Sequence, residues 1–285
     1  MSGGGGNSAG RPGDAHASLV TVPAGEDLLD TLRNARCNIC GTVGSIDLSL
    51  VPTSPTGEPP RLPPEAREGL ACEACGAISR ERALIYVLGC MLGESGPLEH
   101  WPARASLRVL ETSGYRGHPP RLARLFDYFN TRYAPITDLR ETVDGRTTAD
   151  LEDLPYPDGF FDVVLTAEVL EHVQRLEPAL AELHRVLDGG GFAIISAPYI
   201  HAWPRTSVRV HRWHDRDVHL YPPEYHAEDT LVYRVFGRDL LDQLRALGFS
   251  VLYLRFSRPA LAIPEIELIV ASRASFIDAS HFLLR

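Results

Sequence analysis

The stretch Asp150-Leu-Glu-Asp-Leu-Pro-Tyr-Pro-Asp-Gly-Phe-Phe-Asp-Val-Val-Leu-Thr-Ala-Glu-Val-Leu-Glu-His-Val173, resumed at Ala179-Leu-Ala-Glu-Leu-His-Arg-Val-Leu-Asp-Gly-Gly-Gly191, carries the main structural signal of the chain. Phe161 to Thr166 is a short apolar run that predicts a buried strand. Glu177 to Leu187 sets Leu180, Leu183 and Leu187 at helical spacing, and Phe192 to Ser196 is a second apolar run. Strand, helix and strand in succession argue for parallel strands joined by a crossover helix. Working outward, Leu107 to Leu110 reads as an earlier strand, Pro119 to Asn130 as a helix (Leu122, Leu125, Phe126, Phe129), and Gly237 to Leu247 as another helix. Ser250 to Phe256 and Ile266 to Ala271 are strands with no helix between them, which predicts an antiparallel hairpin at one edge.

Upstream lie two CxxC pairs with trailing glycines, Cys37-Asn-Ile-Cys40-Gly41 and Cys72-Glu-Ala-Cys75-Gly76. Each turn aims two thiolates at one point, and the glycine lets the backbone curl around a metal. Two such knuckles close a four-thiolate zinc site that is structural because its coordination sphere is full. Two disulfides or four unrelated thiols are the alternative. The Pro-rich stretch Pro52 to Pro64 reads as an extruded loop between the pairs, and Ile78 to Leu92 as a helix with Cys90 as a core thiol. Residues 26–100 are thus expected to form a small zinc-ribbon-like module with a linking helix, ahead of an α/β domain over 101–285. Residues 1–25, rich in Gly, Ser, Ala and Pro and without an apolar leader, read as a disordered tail on a cytoplasmic protein with reduced thiols.

Composition narrows the function classes. Acids outnumber bases 37 to 28 over 285 residues, a formal charge of −9, which counts against a partner held by nucleic-acid phosphates. All 28 bases are arginine, which excludes a Schiff-base lysine and a P-loop lysine. No apolar run is long enough to predict a membrane helix.

The acid, the Leu-Pro-Tyr-Pro-Asp loop, Phe-Asp-Val-Val, Glu-Val-Leu-Glu-His-Val and the helix ending in Arg-Val-Leu resemble, in that order, the central block of class I S-adenosylmethionine-dependent methyltransferases. The resemblance covers about Ser106 to Ser272. It implies a Rossmann-like, seven-stranded, mostly parallel sheet with S-adenosylmethionine bound outside the carboxyl ends of the strands. It also implies Asp150, with Leu151 beside it, at the adenine amino group. Asp138 is placed to accept from both ribose hydroxyls, with a turn or helix cap as its alternative role. The family's glycine-rich turn corresponds to Glu111-Thr-Ser-Gly-Tyr-Arg-Gly117, so Glu111, Ser113, Gly114 and Gly117 are the expected cofactor-binding residues of that turn. Tyr115 replaces a glycine and would crowd the ligand unless its ring turns outward.

Glu168, expected near the cofactor, also begins Glu168-x-x-Glu171-His172. In some relatives such a set holds a divalent metal, so Mg²⁺ at Glu168, Glu171 and His172 is one expectation. His172 as general base, with Glu171 beside it, is the other. Residues 201–236, rich in His, aromatics and Arg, are expected to form a lid over the acceptor, or a self-packing surface loop. These readings predict methyl transfer to an oxygen of a small hydroxylated or glycosylated metabolite of a natural-product or polysaccharide pathway, with a sugar- or phosphate-bearing acceptor as one option. The layout resembles that of methyltransferases of such pathways, sugar C-methyltransferases with an N-terminal zinc module among them. A metal-assisted RNA 2′-O-methyltransferase and a non-catalytic, zinc-stapled interaction protein are the alternatives.

Overall fold

In the computed structural model, described over residues 16–20, 28–52, 62–133, 142–143, 145–214, 216–226 and 230–275, the chain builds one large sheet with a layer on each face. Its elements begin with β1 (His16–Val20), α1 (Leu28–Arg33), α2 (Ser79–Leu92), β2 (Arg104–Glu111), α3 (Pro119–Leu125) and β3 (Phe126–Arg132). They continue with β4 (Thr142–Val143), β5 (Arg146–Thr148), β6 (Phe161–Ala167), α4 (Leu176–Val186) and β7 (Leu187–Ser196). Six short strands follow: β8 (Ser207–Val208), β9 (Val210–Trp213), β10 (Arg216–His219), β11 (Tyr225–His226), β12 (Thr230–Leu231) and β13 (Arg234–Val235). Then come α5 (Asp239–Ala246), β14 (Ser250–Arg258) and β15 (Ile263–Ser272).

The sheet order is β1-β14-β15-β7-β6-β2-β3-β5-β4. Strands β5, β3, β2, β6 and β7 run parallel, and β15 is antiparallel to both β7 and β14. These seven strands are the expected Rossmann-like α/β sheet with its antiparallel hairpin. Two additions extend it. Strand β1 pairs parallel with β14, so His16–Val20, read in sequence as part of a disordered tail, is an edge strand. Strand β4 closes a hairpin on β5 at the other edge.

The helix expected over Pro119 to Asn130 stops at Leu125, and Phe126–Arg132 is β3, paired with β2. Phe126 and Phe129 continue the helical spacing of Leu122 and Leu125, but the segment also carries the aromatic density of a strand. The open edge of β2 decides between them.

Residues alternate between two cores along each strand. On one face Leu110, Val164 and Ile195 pack with Leu180, Leu183, Leu240 and Leu244 of α4 and α5. On the other, Val109, Leu165 and Val270 pack with Leu84 and Leu88 of α2 and with Ile39 and Leu70 of the cysteine-bearing loops. The described residues between 28 and 100 therefore supply the layer this face requires. Arg82 of α2 is fully buried and rivets that layer. Its guanidinium donates to the carbonyls of Ala77 (2.7 Å), Leu70 (2.7 Å), Ala262 (2.8 Å) and Leu261 (2.9 Å). Cys90 lies in the same core, as its helical spacing predicts.

Candidate active site and four-cysteine cluster

Parallel strands end in a crevice where neighbouring connections depart in opposite directions, and ligands of open α/β sheets bind there. In this chain that point lies between β2 and β6, the central neighbours of the sheet. A cavity of about 700 Å³ opens at their carboxyl ends. Its walls come from four places: Ser113, Gly114 and Tyr115 after β2; Glu168 and His172 after β6; Arg67, Arg80 and Glu81 of the cysteine-bearing layer; and Tyr225, His226 and Thr230 of the 201–236 segment.

The turn after β2 is held from beneath. The buried Glu111 carboxylate takes a bond from His118 Nε2 at 2.7 Å and accepts from the Tyr128 hydroxyl. Burial alone would push His118 down, but the Glu111 charge and hydrogen bond outweigh it and raise its pKa. A Cβ on Gly114 would lie 2.3 Å from a Glu111 oxygen and 2.8 Å from the Tyr128 hydroxyl, so only glycine fits. Asn130 fixes the Gly114 carbonyl with a 2.7 Å bond, and Ser113 Oγ donates to the Ala167 carbonyl at 3.0 Å. Tyr115 lines the cavity mouth, 49% exposed, with the Arg116 guanidinium over its ring. Gly117 faces elsewhere than the sequence suggests. Its Cβ would meet the Cys75 carbonyl at 2.4 Å and Cys75 Sγ at 3.2 Å, so the turn is seated on the second cysteine knuckle.

Glu168 sits in the left-handed region (φ 55°), uncommon outside glycine. Its carboxylate is gripped by Arg67 through a two-pronged ion pair of 2.6 and 3.0 Å, with Ser196 Oγ at 2.7 Å. Burial alone would raise Glu168, but Arg67 overrides it and holds the acid below its ordinary range. Of the Mg²⁺ set expected from Glu168, Glu171 and His172, Glu168 is paired with Arg67 in this structure. Glu171 and His172 instead converge with His226, their donor atoms all within 4.8 Å of one another. Glu171 is fully buried, and both of its oxygens lack a hydrogen-bond partner. Burial, reinforced by the Glu168 charge, pushes its pKa up to about 8. His172 Nδ1 lies 2.8 Å from the Leu231 carbonyl and therefore carries the proton, leaving the Nε2 lone pair toward the cavity. His226 Nδ1 faces that lone pair at 3.2 Å. Burial pushes the His172 pKa down.

The expected adenine-side residues stand apart from these walls. Asp150 follows β5, half-buried, and Oδ1 accepts the Glu152 N–H at 2.9 Å. Burial raises its pKa. Leu151 is buried in the core under α4. Asp138 lies outside the described residues.

The cysteine pairs do converge. Cys37 and Cys75 Sγ are 3.8 Å apart, Cys40 and Cys72 Sγ 3.6 Å. A tetrahedron with metal–sulfur bonds of about 2.3 Å has edges of about 3.8 Å, so the spacing suits four thiolates on one ion. Gly41 and Gly76, at φ 80° and 74°, donate their N–H back to the Cys37 and Cys72 carbonyls, which makes both knuckles. The Cys75 hydrogen bond lowers Cys37 to about 5, while burial raises Cys72. The cluster supports a thiolate without sharing that ease among all four, and a dication would replace the remaining protons.

Sequence reasoning missed Arg67, His118, Tyr128 and Arg234. Arg234, on β13, is buried and donates to the carbonyls of Leu170 (2.9 Å), Val173 (2.7 Å) and Gln174 (3.0 Å), tying the 201–236 segment to the Glu168–Val173 turn. None of these residues lies in a motif.

Residues 133–195 match the family model described as a methyltransferase domain. Over 132 residues the chain is 30% identical to a ubiquinone/menaquinone biosynthesis C-methyltransferase of Bordetella avium, covering 41% of this chain and 48% of the relative. Over 119 residues it is 31% identical to a malonyl-[acyl-carrier protein] O-methyltransferase of Halorhodospira halophila, covering 36% and 40%. The chain thus spans less than half the length of either relative. Among solved structures, an S-adenosylmethionine dependent methyltransferase from Mesorhizobium loti is similar, with a TM-score of 0.42, 16% identity and coverage of 69% and 98%. The resemblance read from the Asp150–Gly191 block is matched in the segment that carries it. No helix of the described residues is long and apolar enough to cross a membrane.

Proposed function

We propose that the chain is an S-adenosylmethionine-dependent methyltransferase that methylates an oxygen of a small hydroxylated or glycosylated metabolite, with zinc on Cys37, Cys40, Cys72 and Cys75 as a structural ion. The observation that carries this reading is the cavity between the turns after β2 and β6, at the switch point of the sheet. S-adenosylmethionine, when bound, supplies a methyl group on a sulfonium. The chain's own residues position it. Gly114 admits close approach of a ligand to the backbone, and the 201–236 segment closes the acceptor side with Tyr225, His226 and Thr230. His172, its proton fixed on Nδ1 by the Leu231 carbonyl, turns Nε2 toward His226 Nδ1 at 3.2 Å, and an acceptor hydroxyl that displaces His226 there would give its proton to Nε2.

The acceptor's charge is narrowed by the same geometry. Arg209 and Arg212 pair with Glu224 and Asp217, so those arginines are engaged within the lid. The lid residues at the cavity offer hydroxyl, imidazole and aromatic groups, which favours a neutral hydroxylated acceptor over a phosphorylated one or RNA. A second reading, a divalent ion on Glu171, His172 and His226, is favoured by the two partnerless Glu171 oxygens. Calorimetric titration with S-adenosylhomocysteine tests the main reading, and absence of binding at millimolar ligand favours the interaction protein. Methyl transfer that is indifferent to EDTA and added Mg²⁺ or Mn²⁺ would discard the second.

A further inference from the structure

Arg67 comes from the stretch between the two cysteine pairs and crosses into the cavity, where its fork closes on Glu168 at 2.6 and 3.0 Å. One prong also reaches Ser196 Oγ at 2.7 Å. Both partners of this pair wall the cavity, so the bond lies where a ligand would be. Next to it, Arg67 is 3.5 Å from Glu68, which Arg80 holds at 2.7 and 2.9 Å. Two guanidiniums therefore face two carboxylates in this corner of the wall.

Glu168 occupies a left-handed backbone conformation that is strained outside glycine, and its N–H is anchored on the Ser196 carbonyl at 2.9 Å. An Asn or Gly would satisfy that backbone without strain. The carboxylate is thus maintained at a strained position, where its only described bonds are to Arg67 and Ser196.

We infer that Arg67 and Glu168 form a placeholder ion pair that opens to receive an α-amino-acid zwitterion, the ligand's carboxylate going to Arg67 and its ammonium to Glu168. The inference rests on the proposed methyltransferase reading and deepens it by assigning the end of the cavity that holds the amino-acid moiety of the cofactor. The physical reason is charge conservation in a desolvated place. Removing one partner of a buried pair leaves the other uncompensated, which is strongly unfavourable. A zwitterion brings both replacement charges at once, so one ion pair is exchanged for two and no charge is stranded. A ligand end with a single charge, or none, gains nothing from opening the pair. The planar fork of arginine also matches a carboxylate in two bonds, as a lysine would not.

Two ligands separate this end from the nucleoside end: S-adenosylhomocysteine, and 5′-methylthioadenosine, which keeps the nucleoside and thioether but lacks the amino-acid group. Calorimetry on the full chain compares both ligands on the wild type, Arg67→Met and Glu168→Gln. The expected result is a loss of about tenfold to a hundredfold in S-adenosylhomocysteine affinity in each variant, with methylthioadenosine affinity held within about twofold. Unchanged S-adenosylhomocysteine binding in the variants, or equal losses for both ligands in a folded variant, overturns the inference. Should far-UV circular dichroism show Arg67→Met unfolded, Arg67→Lys decides, with the same selective loss expected. A wild type that binds neither ligand removes the cofactor reading itself, and this assignment with it. Binding of both ligands by the wild type with no selective loss removes the assignment alone.

Discussion

Gly117 has room for a hydrogen and nothing more, because a Cβ there would stand 2.4 Å from the Cys75 carbonyl. That neighbour is backbone, tied into a knuckle, and cannot swing aside as a side chain would. Gly117→Ala is expected to destabilise the protein by about 1–3 kcal/mol, read as a lower urea midpoint at unchanged slope. An unaltered midpoint would mean that the turn and the knuckle do not share this contact. Its neighbour His118 sets a pH dependence. The Glu111 charge raises the His118 pKa above 6.5 in the folded chain, so the native state binds more protons than the unfolded one above that pH. The contribution is complete below 6.5 and is lost as pH rises through the raised value. His118→Gln removes it, so urea midpoints at pH 6 and pH 8.5 should differ less in the variant than in the wild type by this contribution. Equal differences would contradict a charged pair. In sequence, Gly117 looked like a cofactor glycine because its spacing is the family's. What it contacts comes from residues about forty positions upstream, which no local pattern reports.

At the scale of elements, hydrophobic period was enough to read most of the sheet. β6, α4, β7, α5, β14 and β15 each carry one period cleanly, and the structure has them where those periods lie. The Phe126–Arg132 strand carried two periods at once, and pairing with β2 settled it. The six short strands from β8 to β13 were illegible because they pair within three small ribbons and carry little apolar repeat. Arg234 helps to attach them, its side chain crossing to the turn that bears Glu171 and His172. Arg234→Met removes the donor from three carbonyls and leaves them short of partners. The expected cost is about 2–4 kcal/mol and, on the proposed methyltransferase reading, a fall in transfer rate larger than any change in cofactor affinity. An equal fall in cofactor affinity would place the effect on the cofactor turn rather than on the acceptor side. The converging side chains themselves were half legible. Glu171 and His172 stand in a motif, whereas His226 reaches them only because the β11–β12 ribbon folds back.

For the whole molecule the question is whether the four-cysteine layer melts with the sheet or apart from it. A detached zinc module would have its own core, and its unfolding would be a separate event. In this chain Ile39, Leu70 and Leu84 share one core with Val109, Leu165 and Val270, and Arg82 binds carbonyls of both the cysteine loop and the turn between β14 and β15. Removal of the proposed zinc ion is therefore expected to loosen a face of the sheet. With zinc bound at one equivalent per chain, by elemental analysis, calorimetry should show a single thermal transition. Chelation, or Cys72→Ser, should lower that one transition by about 10–20 °C, since losing a structural zinc site forfeits several kcal/mol and each is worth a few degrees at this size. A new low-temperature transition, with the main one left in place, would mean that the layers fold independently. The shared core also makes the prediction reciprocal: because Arg67, Arg80 and Glu81 reach the cavity from that layer, S-adenosylhomocysteine should slow extraction of the ion by a chelator. Extraction at the same rate with and without ligand would leave the cysteines a purely local staple, with the cavity wall shaped independently of the ion.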